Sequence, residues 1–201
     1  MDIKQSLTKS EFVTSAASPA SLPKDTGIEI AFAGRSNAGK SSTINKLCGQ
    51  KQLARASKTP GRTQLINFFT LGQNAMLVDL PGYGYAKASQ SKQRQWIELL
   101  EYYFSHRVAL KGTVIVMDIR HPLQEADQNM IDWCLHHGSK VHILLNKADK
   151  LSRNKGMQQY HTTRKALADQ QLEHVSLQLF SAANGSGSNE VLSTLSEWMG
   201  A

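Results

Sequence analysis

Six apolar runs rich in β-branched and aromatic residues punctuate the chain: GIEIAFA (27–33), QLINFFTL (64–71), AMLVDL (75–80), TVIVMDI (113–119), KVHILLN (140–146) and VSLQLFS (175–181). Several lack strict alternation, which suits strands covered on both faces. Between them the apolar positions return every three or four residues. QRQWIELLEYYFSHR (93–107) sets Trp96, Leu99, Leu100 and Tyr103 on one helical stripe, and EADQNMIDWCLHH (125–137) does so with Met130, Ile131, Cys134 and Leu135. Further helices are predicted from Ser41 to Leu47 and over 157–171 and 188–199. Strand and helix alternate, so the expected fold is α/β with a doubly wound, mostly parallel sheet. The short gap carrying Gly72 and Asn74 reads as a hairpin and predicts one antiparallel edge strand. EFVTS (11–15) is either a short strand or a trailing segment; the residues leave both open. The expected division is an N-terminal extension over 1–26 and a single domain over 27–201.

At 201 residues the chain suits one domain with a substantial core. No apolar run approaches the ~20 residues that span a bilayer, and the first 25 residues carry no apolar h-region of a signal peptide. Cys48 and Cys134 are too few for a disulfide scaffold and are expected to be buried hydrophobes. These features predict a reduced, cytoplasmic protein. The net charge of +7 is unevenly spread. No acidic residue lies between Glu29 and Asp79, where Arg35, Lys40, Lys46, Lys51, Arg55, Lys58 and Arg62 fall, and Lys87, Lys92 and Arg94 follow. Clustering of one sign predicts a polyanionic partner, a nucleic acid or nucleoprotein.

GRSNAGKSS follows the first predicted strand and opens the first predicted helix. From Gly34 through Arg35, Ser36, Asn37, Ala38, Gly39 and Lys40 to Ser41 it fits G-x-x-x-x-G-K-[ST], with Ser42 after it. The glycines let the backbone curl so that successive N–H groups face phosphate oxygens, and the helix adds its positive end. Lys40 is expected on the β and γ phosphates and the Ser41 hydroxyl on Mg2+. The base is read from Asn146-Lys147-Ala148-Asp149, at the end of a predicted strand. The Asp149 carboxylate can accept from the ring N–H and exocyclic amine of guanine, whereas adenine offers neither donor there. Asn146 is expected to brace the loop and contact the purine, with the Lys147 stem along its plane. Phe180, Ser181, Ala182 and Ala183 supply the remaining wall, the Ser181-Ala182 backbone meeting the base carbonyl.

VDLPGYGYA gives D-x-x-G as Asp79, Leu80, Pro81 and Gly82. Asp79 is expected to orient Mg2+ through water and Gly82 to offer its N–H to a γ-phosphate, an interaction that hydrolysis ends. SKTPGRTQ (57–64) lies where a first switch belongs. Gly61, Arg62 and Thr63 are assigned to the nucleotide, with Thr63 as the second magnesium hydroxyl and Thr59 as its runner-up. Asp118, Arg120 and His121 are read as a buried aspartate paired with arginine rather than as catalytic groups.

In this order the motifs resemble GTPases of the Era and TrmE branch, and more closely the EngB family. The residues that carry the likeness are GIEIAFAGRSNAGKSSTIN, SKTPGRTQLINFF, DLPGYGYAK, MDIRHPL, LLNKADKLS and FSAANGSG, covering most of 27–187. The resemblance implies a Ras-like P-loop GTPase domain that binds GTP and GDP, and a role in assembling the large (50S) ribosomal subunit on its precursor and rRNA. Tyr83 stands where many such enzymes carry a glutamine that orients water. In a similar branch with a hydrophobic residue there, a potassium ion near the phosphates can serve, held by an asparagine that Asn37 matches. Lys40, Asn37, Thr63 and Gly82 are therefore the candidate catalytic set of a monomer whose slow hydrolysis is stimulated by K+, by the ribosomal partner, or by both. The alternatives are a P-loop kinase or ATPase, which Asp149 argues against, and a GTP-regulated protein of cell division, septation or membranes.

Overall fold

The computed structural model describes residues 2–54, 65–84 and 90–200, the side chains of 90–93 excepted. Its strands are β1 (Phe12–Ala16), β2 (Ile28–Gly34), β3 (Ile66–Thr70), β4 (Ala75–Asp79), β5 (Leu110–Asp118), β6 (Lys140–Asn146) and β7 (Ser176–Leu179). The helices are α1 (Ile3–Thr8), α2 (Lys40–Leu47), α3 (Gln90–His106), α4 (Glu125–His136), α5 (Arg153–Asp169) and α6 (Ser188–Trp198). All seven strands form one sheet in the order β1-β3-β4-β2-β5-β6-β7. β4, β2, β5, β6 and β7 run parallel, and β3 runs against β4 through the expected hairpin. β1 pairs antiparallel with β3 from Phe12↔Phe69 to Ala16↔Ile66, so EFVTS takes the strand alternative and covers the reversed strand from outside.

Strand alternation divides the core in two. Ile30, Phe32, Val114 and Val116 face α1, α2 and α6 through Leu7, Ile44, Leu47, Val191, Leu195 and Trp198. Ala31, Ala33, Ile115 and Met117 face α3, α4 and α5 through Leu100, Tyr103, Met130, Cys134 and Leu167. Each fully buried Leu, Ile or Phe contributes about 1.5–3 kcal/mol of burial, which is why the central strands are apolar on both faces. Both cysteines are buried and free, as their reading as hydrophobes requires. Gly112 leaves a gap in β5 that the Trp198 ring fills; a Cβ there would lie inside the indole's van der Waals envelope. Among the described residues no helix is long and apolar enough to cross a membrane.

One polar group interrupts the central strand. Glu29 is fully buried, where it accepts from Tyr103 Oη at 2.9 Å and pairs with the Arg107 guanidinium. Arg107 also donates to the Pro23 carbonyl at 2.7 Å, and Asp25 accepts from the Val108 and Ala109 amides at 2.9 and 3.0 Å. This cluster ties residues 23–25 to the end of α3, at the start of β2 and away from Gly34.

Candidate functional site

β2 ends at Gly34 and α2 begins at Lys40, with five residues turning between them. Ala38 N donates to the Arg35 carbonyl at 3.0 Å, and Asn37 and Gly39 take left-handed φ of 66° and 98°. A side chain at Gly39 would collide with the Asn146 carboxamide as well as strain the backbone, so this turn needs glycine. Ser36, Asn37 and Ser42 are exposed, Ser41 is half-buried and Ala38 is buried.

Asp79 ends β4, one strand over from β2 and paired in register with Phe32. Its carboxylate meets Lys40 Nζ, so the expected phosphate lysine and the expected metal aspartate neutralise each other in a largely buried ion pair. The donor set suits magnesium. Among the described residues no three His, Cys, Asp or Glu side chains gather. Among the described residues the protein would offer the hard oxygens of Ser41 and Asp79, leaving other positions to phosphate and water, as this ion prefers. Leu80 and Pro81 are buried, and Leu80 N donates to Phe32 O at 3.0 Å, so this segment meets the site through its main chain.

On the base side, β6 delivers Asn146 and a left-handed Lys147 (φ 65°) into a 3-10 turn over Ala148–Lys150. Asn146 is nearly fully buried; its Nδ2 donates to Ala38 O at 2.9 Å and its Oδ1 accepts from Ala182 N at 3.1 Å. Lys147 Nζ donates to Asn37 O at 2.7 Å and to Asp118 Oδ2 at 2.9 Å. Asp118 also binds Arg120 side chain and main chain, and these hydrogen bonds, with those from Lys147, hold its carboxyl well below the usual range against its burial. The aspartate–arginine pairing is thus present, with Lys147 as a partner the sequence reading did not assign.

Asp149 Oδ1 accepts from Ser181 Oγ at 2.6 Å, and that hydrogen bond, helped by Lys150, lowers its pKa. The group stays ionised at neutral pH, an acceptor on every lone pair. Ser181 Oγ in turn accepts from Asn184 N at 3.3 Å, and Ala148 N donates to Phe180 O at 3.1 Å. The Phe180 side chain is fully buried in the core, and Ala183 is exposed. Gly61, Arg62 and Thr63, with Thr59, lie outside the described residues.

Tyr83 is buried with its phenol on α4, donating to Asp127 Oδ1 at 2.9 Å. Burial raises the Tyr83 pKa well above normal, and the neighbouring Asp127 adds to the effect. Asp127 is fully buried and accepts from Arg35 Nε at 3.0 Å and Gln124 N at 3.1 Å. Burial pushes its pKa up, opposed by the bonds from Tyr83, Arg35 and Gln124. Arg35 also donates to the His121 carbonyl at 2.7 Å, so its side chain serves α4 while its main chain belongs to the loop.

Comparison with known proteins gives a consistent set of likenesses. A family described as "50S ribosome-binding GTPase" matches residues 29–147. The chain is 50% identical over 190 residues to "Probable GTP-binding protein EngB" of Coxiella burnetii (strain RSA 331 / Henzerling II), covering 94% of this chain and 92% of the relative. The protein of the same name from Mannheimia succiniciproducens is 50% identical over 197 residues, covering 98% and 96%. The crystal structure of a probable GTP-binding protein engB superposes with a TM-score of 0.66 at 19% identity, over 85% of this chain and 98% of that one. Era in complex with MgGDPNP and nucleotides 1506–1542 of 16S ribosomal RNA superposes at 0.65 and 19% identity, over 86% and 56%.

Proposed function

The chain belongs to the EngB family of GTP-binding proteins, P-loop GTPases, and from that premise we propose that it is a slow GTPase acting as a nucleotide-controlled switch in assembly of the large ribosomal subunit. The observation that carries the nucleotide reading is the Asp149 carboxylate. It is kept ionised and aimed by Ser181, on a turn tied to the phosphate loop through Asn146 and Lys147. Two guanine donors pair with such a group, whereas adenine would leave it desolvated without a partner, a discrimination that reaches ~10⁴ or more.

On binding GTP, Lys40 exchanges Asp79 for the β and γ phosphates, and residues 34–42 supply main-chain N–H groups around them. Ser41, Thr63 and, through water, Asp79 are the residues that would hold Mg2+, which neutralises phosphate charge when bound. Gly82 presents its N–H to the γ-phosphate, with Leu80 and Pro81 fixing its approach and Gly61 and Arg62 flanking Thr63. Ala148, Phe180, Ala182 and Ala183 complete the wall around the base through their main chain. Tyr83 is unavailable to orient water, so hydrolysis depends on Asn37, a potassium ion it helps hold, the ribosomal partner, or these together.

The ribosomal assignment is supported by the description of the matching family and by the acid-free stretch from residue 30 to 78. A cytoplasmic monomer whose N-terminal 26 residues extend the GTPase domain of 27–201 fits this role. Labelled GTP should be displaced by GDP but not by ATP, and equal displacement by ATP would overturn the nucleotide reading. The GTP-loaded chain should cosediment with 50S precursors more than the GDP-loaded chain. Preferential capture by anionic liposomes would instead favour the membrane or cell-division role.

A further inference from the structure

Tyr83 Oη, the Asp127 carboxylate and the Arg35 guanidinium form a closed clamp between the segment that carries Gly82, the phosphate loop and the first turn of α4. The main chain repeats the link. Tyr83 N donates to Gly34 O at 3.4 Å and Ser36 N donates to Tyr83 O at 3.2 Å, an isolated parallel bridge between Arg35 and Tyr83. Just before these connections Gly82 packs on the loop, where a Cβ on it would lie 3.5 Å from Ser36 Cα, at van der Waals contact. Asp127 itself has little freedom: its carboxylate closes a capping arrangement with Gln124, where the helix end favours negative charge. Arg35 is held at its other edge by His121 O.

We propose that Asp127 and Tyr83 are positioning residues for the γ-phosphate contact, acting through Gly82. The proposal rests on the reading of Gly82 as the γ-phosphate donor. Tyr83 uses its phenol as an anchor on α4, which fixes the amide one residue before it over the phosphate loop. The ordering needed for GTP is then already present in the folded chain, and preorganisation of this kind lowers the cost of binding. GDP has no γ-phosphate and draws no benefit from Gly82, so the clamp acts on the ratio of the two affinities. Arg35 Nε, 3.0 Å from Asp127 Oδ2, orients the carboxyl, so the phenol has a fixed acceptor.

The test uses the full chain with Tyr83→Phe, which removes one oxygen and keeps the ring, and Asp127→Asn. GDP and a non-hydrolysable GTP analogue are titrated by fluorescence, and steady-state hydrolysis is measured with its kcat and KM separated. The expected result is a GTP-analogue affinity on the order of 10-fold weaker in each variant, GDP affinity within about twofold of the parent, and a lower kcat. A variant that weakens GDP and GTP alike reports general loosening and overturns the proposal, as does an unchanged GTP-to-GDP ratio. Thermal unfolding identifies a variant that does not fold; Arg35→Lys is then the substitute, judged by the same ratio. If the parent chain itself binds no guanine nucleotide, the site reading fails; if it binds and the variants keep its ratio, only the clamp fails.

Discussion

Asn146 and Ala38 are joined by a single hydrogen bond of 2.9 Å that links the end of β6 to the turn before α2. The same carboxamide accepts from Ala182 N at 3.1 Å, so one buried side chain sets the separation between the phosphate end and the base end of the site.

Replacing Asn146 by alanine leaves the Ala38 carbonyl and the Ala182 amide without this partner. The expected cost is about 1–3 kcal/mol of stability, read from denaturant midpoints. GTP and GDP affinities should fall together, because both ends of the site shift for either nucleotide. Calorimetry that finds both affinities unchanged would show that the brace is dispensable.

Arg107 is the counter-charge of Glu29, whose side chain is 0% exposed. Arg107→Met strands a carboxylate in the core and should cost about 3–5 kcal/mol. The double variant Glu29→Gln with Arg107→Met should recover much of that loss, since removing both charges removes the penalty. Urea titration of Arg107→Met, Glu29→Gln and the double variant separates these outcomes, and additive losses would refute the pairing.

Asp118 has a folded pKa below its unfolded one because Arg120 and Lys147 bind its ionised form. Its contribution to stability is therefore present above the ordinary carboxylate value of ~3.9, and is lost as pH falls toward the lowered folded value. The stability gap between the parent and Asp118→Asn should be widest near neutral pH and close under acid. Unfolding curves across that range check the sign; a gap that grows on acidification would reverse it.

Burial pushes the Cys48 thiol up to about 11 and the Cys134 thiol to about 12. Both should resist a water-soluble disulfide reagent at neutral pH and react once denaturant opens the core, since the thiolate is the nucleophile. Fast modification of the native protein would contradict the packing around them.

Much of this was readable in residue order because the relevant signals are local. Apolar runs marked six strands, and the motif residues lie beside strand ends that any α/β sheet gathers at one rim. Long-range polar partners left no such trace. Asp127 reads as an ordinary acid in a helix's first turn, while its partners Tyr83 and Arg35 are 44 and 92 positions away. Glu29 appears only as a polar interruption in GIEIAFA, with Arg107 78 positions distant. α1 went unpredicted for another reason: six residues give too little periodicity to count, though Asp2 caps it and Ile3 and Leu7 share its buried face. The helix expected from 157 begins at Arg153, where the Ser152 side chain accepts from Lys155 N at 3.4 Å.

The indole seated over Gly112 makes the two distant segments mutually dependent. A strand that omits its own side chain at one position relies on a ring supplied much later in the polypeptide, so neither surface is sealed until both are present. Such interlocking couples the last helix to β5, so that opening either one exposes the other to water. Shaving the aromatic group should therefore loosen the middle of the sheet, not merely its rim.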